Sequence, residues 1–143
     1  MSVQRDRLDP ASREPLEALL QAIPGGFNSI PDIVERRALV DGLLAAQMAD
    51  APPNDRVVAE DRMIPGPDGA PDLRVRVYTP VDATGVELPG ILYIHDGGMI
   101  MGSIEANELT CAMLCEAVNA VVVSTDYRKA PENPHPSREP VGN

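Results

Sequence analysis

The chain has 143 residues, one domain's worth or a piece of a larger one, and a formal net charge of −10 from 22 acidic and 12 basic side chains. That balance disfavours nucleic acid and anionic membrane surfaces as partners, because both demand a basic patch. One Phe and no Trp leave any core to aliphatic side chains, and there is no run of about 18 apolar residues to insert into a membrane.

Fifteen prolines and eleven glycines fall in clusters, which argues for turns rather than general disorder. The N-terminus is polar, with Arg5, Asp6, Arg7 and Asp9, and shows no signal peptide, so the expected location is the cytoplasm. Asp9-Pro10 has the chemistry of a helix start, an acceptor at the cap and proline at the first position. Leu16, Leu19, Leu20 and Ile23 repeat at helical spacing, with Pro15 delaying the regular helix to about that residue. Pro24-Gly25-Gly26 ends it. A second helix is expected after Ser29, where Ser29-Ile30-Pro31-Asp32 resembles a capping box with Asp in the Glu place. Ile33, Val40, Leu43, Leu44 and Met48 give it an apolar stripe, and residues 51–55 are a stop and a linker.

From Val57 the period changes. Val57 to Ile64 reads as a strand, residues 65–69 as a turn, and Leu73 to Tyr78 as a second strand, together an antiparallel hairpin. In the second strand Leu73, Val75 and Val77 alternate with Arg74, Arg76 and Tyr78, which predicts one buried face and one wet face. After a loop from Pro80 to Gly90, Ile91 to Ile94 is apolar without alternation, the mark of a strand covered on both faces. Glu105 to Val118 is helical, with Leu109, Ala112 or Met113, and Cys115 or Glu116 at one-turn intervals. Ala120 to Val123 is a second continuous apolar run, so strand, helix and strand make a right-handed βαβ unit. Cys111 and Cys115 share one face of that helix as buried thiols. No metal site is expected, since there are two histidines and neither lies near them. Ala130 to Pro140 holds four prolines and is neither helix nor central strand.

The segment carrying chemistry is His95-Asp96-Gly97-Gly98, placed where a buried strand ends. A glycine pair there lets backbone N–H groups turn toward a ligand without Cβ obstruction. Two such groups can hold the negative oxygen that develops when an ester or amide carbonyl is attacked. By spacing alone, an ordinary strand-to-helix turn is the competing reading.

The wider pattern, Tyr93-Ile94-His95-Asp96-Gly97-Gly98 followed by Asp126-Tyr127-Arg128-Lys129-Ala130-Pro131-Glu132 with Pro134 and Pro136, resembles the hormone-sensitive-lipase-like esterases of the α/β-hydrolase superfamily. There the first motif is usually His-Gly-Gly-Gly, an esterase oxyanion element, and the second has Leu where Lys129 stands. The resemblance covers roughly residues 8–136. It implies an α/β chain that is the N-terminal portion of an α/β-hydrolase fold: two cap-type helices, an antiparallel hairpin, then a βαβ unit, strands one to four. The implied division is cap-type helices over 1–55, a partial core over 56–136 and a divergent tail over 137–143.

By the same resemblance, Gly97 and Gly98 supply the oxyanion N–H groups. His95, Asp96, Asp126, Tyr127 and Arg128 are structural parts of the motifs, His95 positioning the loop rather than acting as catalytic base. Met99, Ile100 and Met101 are implied as pocket lining, with core packing the alternative for at least two of them. Asp96 replaces the first glycine. A carboxylate ~5 Å from the oxyanion would cost about 3 kcal/mol at an effective dielectric of about 20, so it must point away.

No Gly-x-Ser-x-Gly elbow occurs in the 143 residues; Ser103, Ser124 and Ser137 lack that context, and His135 sits in the proline-rich loop. Losing Ser and His costs on the order of a million-fold in turnover, by the subtilisin precedent. The expectation is a carboxylic ester hydrolase of serine esterase or lipase type, truncated by a frameshift or premature stop, with no triad member and no activity alone. A small-molecule acyl ester is the substrate implied for a full-length parent, and no cofactor is implied. Two alternatives stand beside it: an interaction remnant pairing through an open strand edge, and one component of a split esterase. In the implied strand order 1-2-4-3 the third strand, Ile91 to Ile94, is an edge written for an interior, which predicts self-association through it.

Overall fold

The computed structural model describes residues 7–48, 51, 54–66, 70–83, 85 and 87–134. The chain divides into two units, Met1–Arg36 and Arg37–Asn143.

In the first unit, helix α1 (Pro10–Ala22) starts where Asp9-Pro10 predicts. The Asp9 carboxylate accepts the Ala11 N–H at 2.8 Å, and proline fills the first position. Pro15 does not delay the helix, contrary to expectation. The cap and Pro10 have already fixed the first turn, so Pro15 forfeits one ladder bond without setting the start. Leu16, Leu19 and Leu20 are half-buried and Ile23 is buried.

Helix α2 (Ile33–Met48) crosses the boundary between the units and is capped by Asp32 rather than Ser29. The Asp32 carboxylate accepts the Glu35 N–H at 2.9 Å, whereas Ser29 closes a 3-10 turn and donates to the Gly26 carbonyl at 2.7 Å. The reason is Pro31: it forces Ile30 into an extended conformation (φ −101°, ψ 102°), so no helix can pass through it. Val40, Leu43 and Leu44 of the expected stripe are half-buried, and the side chain of Met48 lies outside the described residues.

The second unit is built on a four-stranded sheet of β1 (Val57–Ile64), β2 (Leu73–Pro80), β3 (Gly90–Tyr93) and β4 (Val121–Thr125), in the order β1-β2-β4-β3. β1 and β2 form the expected hairpin, with Val57 opposite Pro80 and Ile64 opposite Leu73. β2 pairs antiparallel with β4, and β4 pairs parallel with β3 through the crossover helix α3 (Glu108–Val118). Register places Ala59, Tyr78, Val122 and Ile91 in one row on one face. Val77, Val123 and Leu92 lie in the next row, on the other face.

Helix α3 covers the Tyr78 face, and Tyr78, Val122, Cys111, Ala112 and Cys115 form the core there. This corrects two expectations. Tyr78 belongs to the row predicted to be wet, yet it is fully buried. Of the predicted stripe, Ala112 and Cys115 are buried together with Cys111, as expected of the thiol pair, whereas Leu109 is 37% and Met113 57% exposed. Small side chains let the helix approach the Tyr78 ring, which supplies the bulk from the sheet side. Both thiols are free, and burial pushes their pKa up.

β3 departs from expectation as well. It starts at Gly90, ends at Tyr93, and is covered on one face only among the described residues, with Leu92 and Ile94 each 64% exposed. β4 runs on to Thr125, two residues beyond the apolar run, because its register with β2 continues through Ser124 and Thr125. Among the described residues no helix is long and apolar enough to cross a membrane. Residues 137–143, expected as a tail, and His135 with Pro136 lie outside the described residues.

Candidate oxyanion site

After β3 the chain turns sharply. Gly97 (φ 123°), Gly98 (φ 62°) and Met99 (φ 66°) follow one another at positive φ, a conformation that favours glycine. At Gly97 a Cβ would run into the Met101 carbonyl, so no other residue fits without moving that turn. The Gly97 carbonyl accepts the N–H groups of Ile100 at 3.2 Å and Met101 at 3.0 Å. The Met99 carbonyl accepts the Ala130 N–H at 2.9 Å, and the Ile100 carbonyl accepts Arg37 Nε at 3.0 Å.

His95 is buried at the start of this turn, and its Nδ1 lies 2.7 Å from the Asp96 carbonyl. A carbonyl only accepts, so the ring carries its proton on Nδ1. Nε2 has no partner among the described residues. Tyr127, at the exit of β4, stacks on the imidazole with ring centroids 4.2 Å apart and donates to the His95 carbonyl at 3.1 Å. Burial, with the Asp96 charge adding to it, pushes the Tyr127 phenol up and keeps it a donor.

The consequence lies in the peptide planes. With the Asp96 carbonyl held toward His95, planarity turns the Gly97 N–H the opposite way. The carbonyls of His95, Asp96, Gly97, Met99 and Ile100 are all engaged. The N–H groups of Gly97, Gly98 and Met99 donate to nothing among the described residues. Successive amides left unspent are the feature that anion-binding backbone concavities share.

Beside it lies a cavity of about 560 Å³ with Ile64, Leu73, Ile94 and Met99 in its apolar wall and Gly98, His95 and Tyr127 also lining it. Of the three residues expected to line a pocket, the structure brings Met99 alone to this one; Ile100 and Met101 are half-buried outside it. Positive φ at Met99 swings its side chain out of the sequence of its neighbours. Asp96 is exposed, so its charge acts through a dielectric near that of water, where ~5 Å of separation costs about 1 kcal/mol or less.

Asp126 binds Lys129 Nζ at 2.9 Å and Arg74 at 3.1 Å. Burial raises its pKa, but the two cations outweigh burial and hold the carboxyl below its ordinary range. Arg128 is exposed and donates to the Pro71 carbonyl at 3.4 Å. Sequence reasoning missed Arg37, which pairs with Glu132 at 3.0 Å and donates to the Ala130 carbonyl at 2.9 Å. The available signal was Glu132, a carboxylate in a proline-rich loop whose nearest cations in sequence, Arg128 and Lys129, lie on one side of it.

The antiparallel hairpin, the parallel crossover and the order β1-β2-β4-β3 define the N-terminal part of an α/β-hydrolase fold. The family described by that fold matches residues 91–138. Carboxylesterase NlhH of Mycobacterium tuberculosis is 32% identical over 136 residues, which is 95% of this chain and 40% of NlhH. Esterase LipI of the same organism is 37% identical over 110 residues, 71% of this chain and 33% of LipI. The structure of the Pyrobaculum calidifontis esterase aligns with a TM-score of 0.69 at 36% identity, over 91% of this chain and 38% of that one. The chain therefore spans 33% to 40% of the length of these relatives. It belongs to the hormone-sensitive-lipase-like esterase family of the α/β-hydrolase superfamily.

Proposed function

We propose that this chain serves the hydrolysis of carboxylic esters of small acyl molecules, with the Gly97 and Gly98 amides as the oxyanion donors. The observation that carries the proposal is the turn itself: the Asp96, Gly97, Met99 and Ile100 carbonyls are engaged, the Gly97, Gly98 and Met99 amides have no partner among the described residues, and an apolar cavity of about 560 Å³ lies against it. His95 and Tyr127 position the amides, His95 through its Nδ1 bond to the Asp96 carbonyl and Tyr127 through its bond to the His95 carbonyl. In the best-studied case one oxyanion donor is worth about 10²–10³ in turnover. The similar esterases named above support the ester bond as the target, and the chemistry requires no cofactor.

No serine of the 143 residues stands in a Gly-x-Ser-x-Gly elbow, so the nucleophile, acid and base are supplied from outside these residues. The 143-residue polypeptide is expected to hydrolyse p-nitrophenyl acetate no faster than buffer and to take no organophosphate label. Mixing it with a polypeptide carrying the elbow and later strands of a relative is expected to yield activity. Turnover by the 143-residue polypeptide alone, silenced by the organophosphate, would overturn the assignment.

A second reading rests on β3, which is paired on its β4 side alone among the described residues and carries Leu92 at 64% exposure. We propose that a second copy of the chain pairs there. Light scattering after size exclusion is expected to give a dimer or larger species, shifted toward monomer by Leu92→Glu. A monodisperse native monomer would remove this reading.

A further inference from the structure

We infer that Arg37 is the positioning residue that locks the oxyanion turn, acting through the carbonyls behind it; the inference rests on the reading of Gly97 and Gly98 as oxyanion donors. Its guanidinium spends all three nitrogens. Nε donates to the Ile100 carbonyl at 3.0 Å, Nη2 to the Ala130 carbonyl at 2.9 Å, and Nη1 and Nη2 grip the Glu132 carboxylate at 3.0 and 3.2 Å. The Arg37 side chain is 17% exposed, so the two carbonyl bonds are partly shielded from water, whereas the Glu132 pair is exposed. Glu132 is held below its ordinary pKa, first by its hydrogen bonds from Arg37.

The Ala130 N–H donates in turn to the Met99 carbonyl at 2.9 Å. Arg37 and Ala130 therefore close a ring around Ile100, holding the carbonyl of the peptide on either side of that residue. The Ile100 N–H then meets the Gly97 carbonyl at 3.2 Å, and that carbonyl shares its peptide plane with the free Gly98 N–H. A planar fork can serve two carbonyls and a carboxylate at once, and a lysine ammonium cannot span them. Removing the fork frees the Ile100 carbonyl and lets the 97–101 turn rotate about its glycines.

The test uses uniformly ¹⁵N-labelled 143-residue chain. Arg37→Lys is expected to shift the Gly97 and Gly98 amide resonances and to speed hydrogen exchange at Ile100 and Met101 on the order of tenfold. Amides of β1, β2 and β4 are expected to keep their shifts. Glu132→Gln leaves both carbonyl bonds in place and is expected to move Gly97 and Gly98 less than Arg37→Lys does. Unmoved glycine amides in Arg37→Lys would overturn the inference, and so would changes spread evenly over the sheet or loss of the fold, each the mark of general support. None of these readouts needs turnover, so an inactive mixture with the elbow-bearing polypeptide of a relative would leave them intact and count against the functional proposal separately.

Discussion

Gly102→Ala is expected to destabilise the chain by about 3 kcal/mol, a large share of the 5–15 kcal/mol typical of a domain. Gly102 sits at φ +88°, and a Cβ there would meet the Asp96 carbonyl at 2.5 Å, His95 Cε1 at 2.8 Å and His95 Nδ1 closer still. Backbone strain at positive φ accounts for about 1–3 kcal/mol. The rest comes from His95: its ring must yield, and the buried bond from Nδ1 to the Asp96 carbonyl is lost at about 1–3 kcal/mol. Two other glycines separate these contributions. Gly85 has φ +77° with nothing within 4 Å of a Cβ, so Gly85→Ala isolates the conformational part at about 1–2 kcal/mol. Gly90 has neither positive φ nor a neighbour within 4 Å, so Gly90→Ala is expected to be nearly neutral. Urea unfolding followed by far-ultraviolet circular dichroism measures all three. Equal losses for Gly102→Ala and Gly85→Ala would show that the His95 contact carries no energy.

The same contact marks how far the site was legible beforehand. Gly97-Gly98 after a strand announces a turn of free amides, because both glycines are local to the bonds they make. The two motifs mark His95 and Tyr127 each as structural, but that their rings stack across 32 residues is seen only in the structure. Arg37 could not be found that way. Its partners stand 63, 93 and 95 residues distant, and a single arginine on a helix carries no mark of where its guanidinium reaches. The choice among Met99, Ile100 and Met101 was equally closed, since strand and helix periods lapse inside a turn with three positive φ values.

For the fold, the hairpin and the crossover were legible because hydrophobic period and turn residues agree over whole elements. Faces were harder. Alternation in β2 separates Leu73, Val75 and Val77 from Arg74, Arg76 and Tyr78 correctly, but which side a helix covers is a tertiary matter. α3 lies on the arginine side, and its approach carries Glu105 and Glu108 over Arg74 and Arg76. The row that looked like a wet surface is thus half interior, with charges matched at one end and Tyr78 packed at the other.

That matching makes Arg76 a stability determinant and sets the acid limit of the fold. Arg76 is 15% exposed and binds Asp61 at 2.6 Å, Glu108 at 2.9 Å and Glu105 at 3.4 Å. Arg76→Met retains the stem but leaves Asp61 and Glu105 to Arg74 alone and takes from Glu108 the cation it binds, in a chain already at a net charge of −10. Exposed pairs are worth about 0–1 kcal/mol each and broken buried ones about 3–5, so a loss of about 2 kcal/mol is expected at neutral pH. High salt should shrink it, because the repulsion left behind is partly exposed and screened. The pH dependence has a definite sign. A carboxyl whose folded pKa is depressed stabilises the fold above its unfolded pKa and loses that contribution as pH falls through the folded value. Asp61 is lowered from the ordinary 3.8, first by its hydrogen bond to Arg76. Glu105 is lowered first by Arg74, and Asp126 by Lys129 and Arg74 against burial. Native protein should therefore hold its fold below the usual carboxylate range, and Arg76→Met should move the acid unfolding midpoint upward by returning Asp61 toward its ordinary value. Circular dichroism against pH, at low and high salt, reads both effects. A variant with the native acid midpoint would mean that Arg76 sits among these carboxylates without stabilising their charged forms.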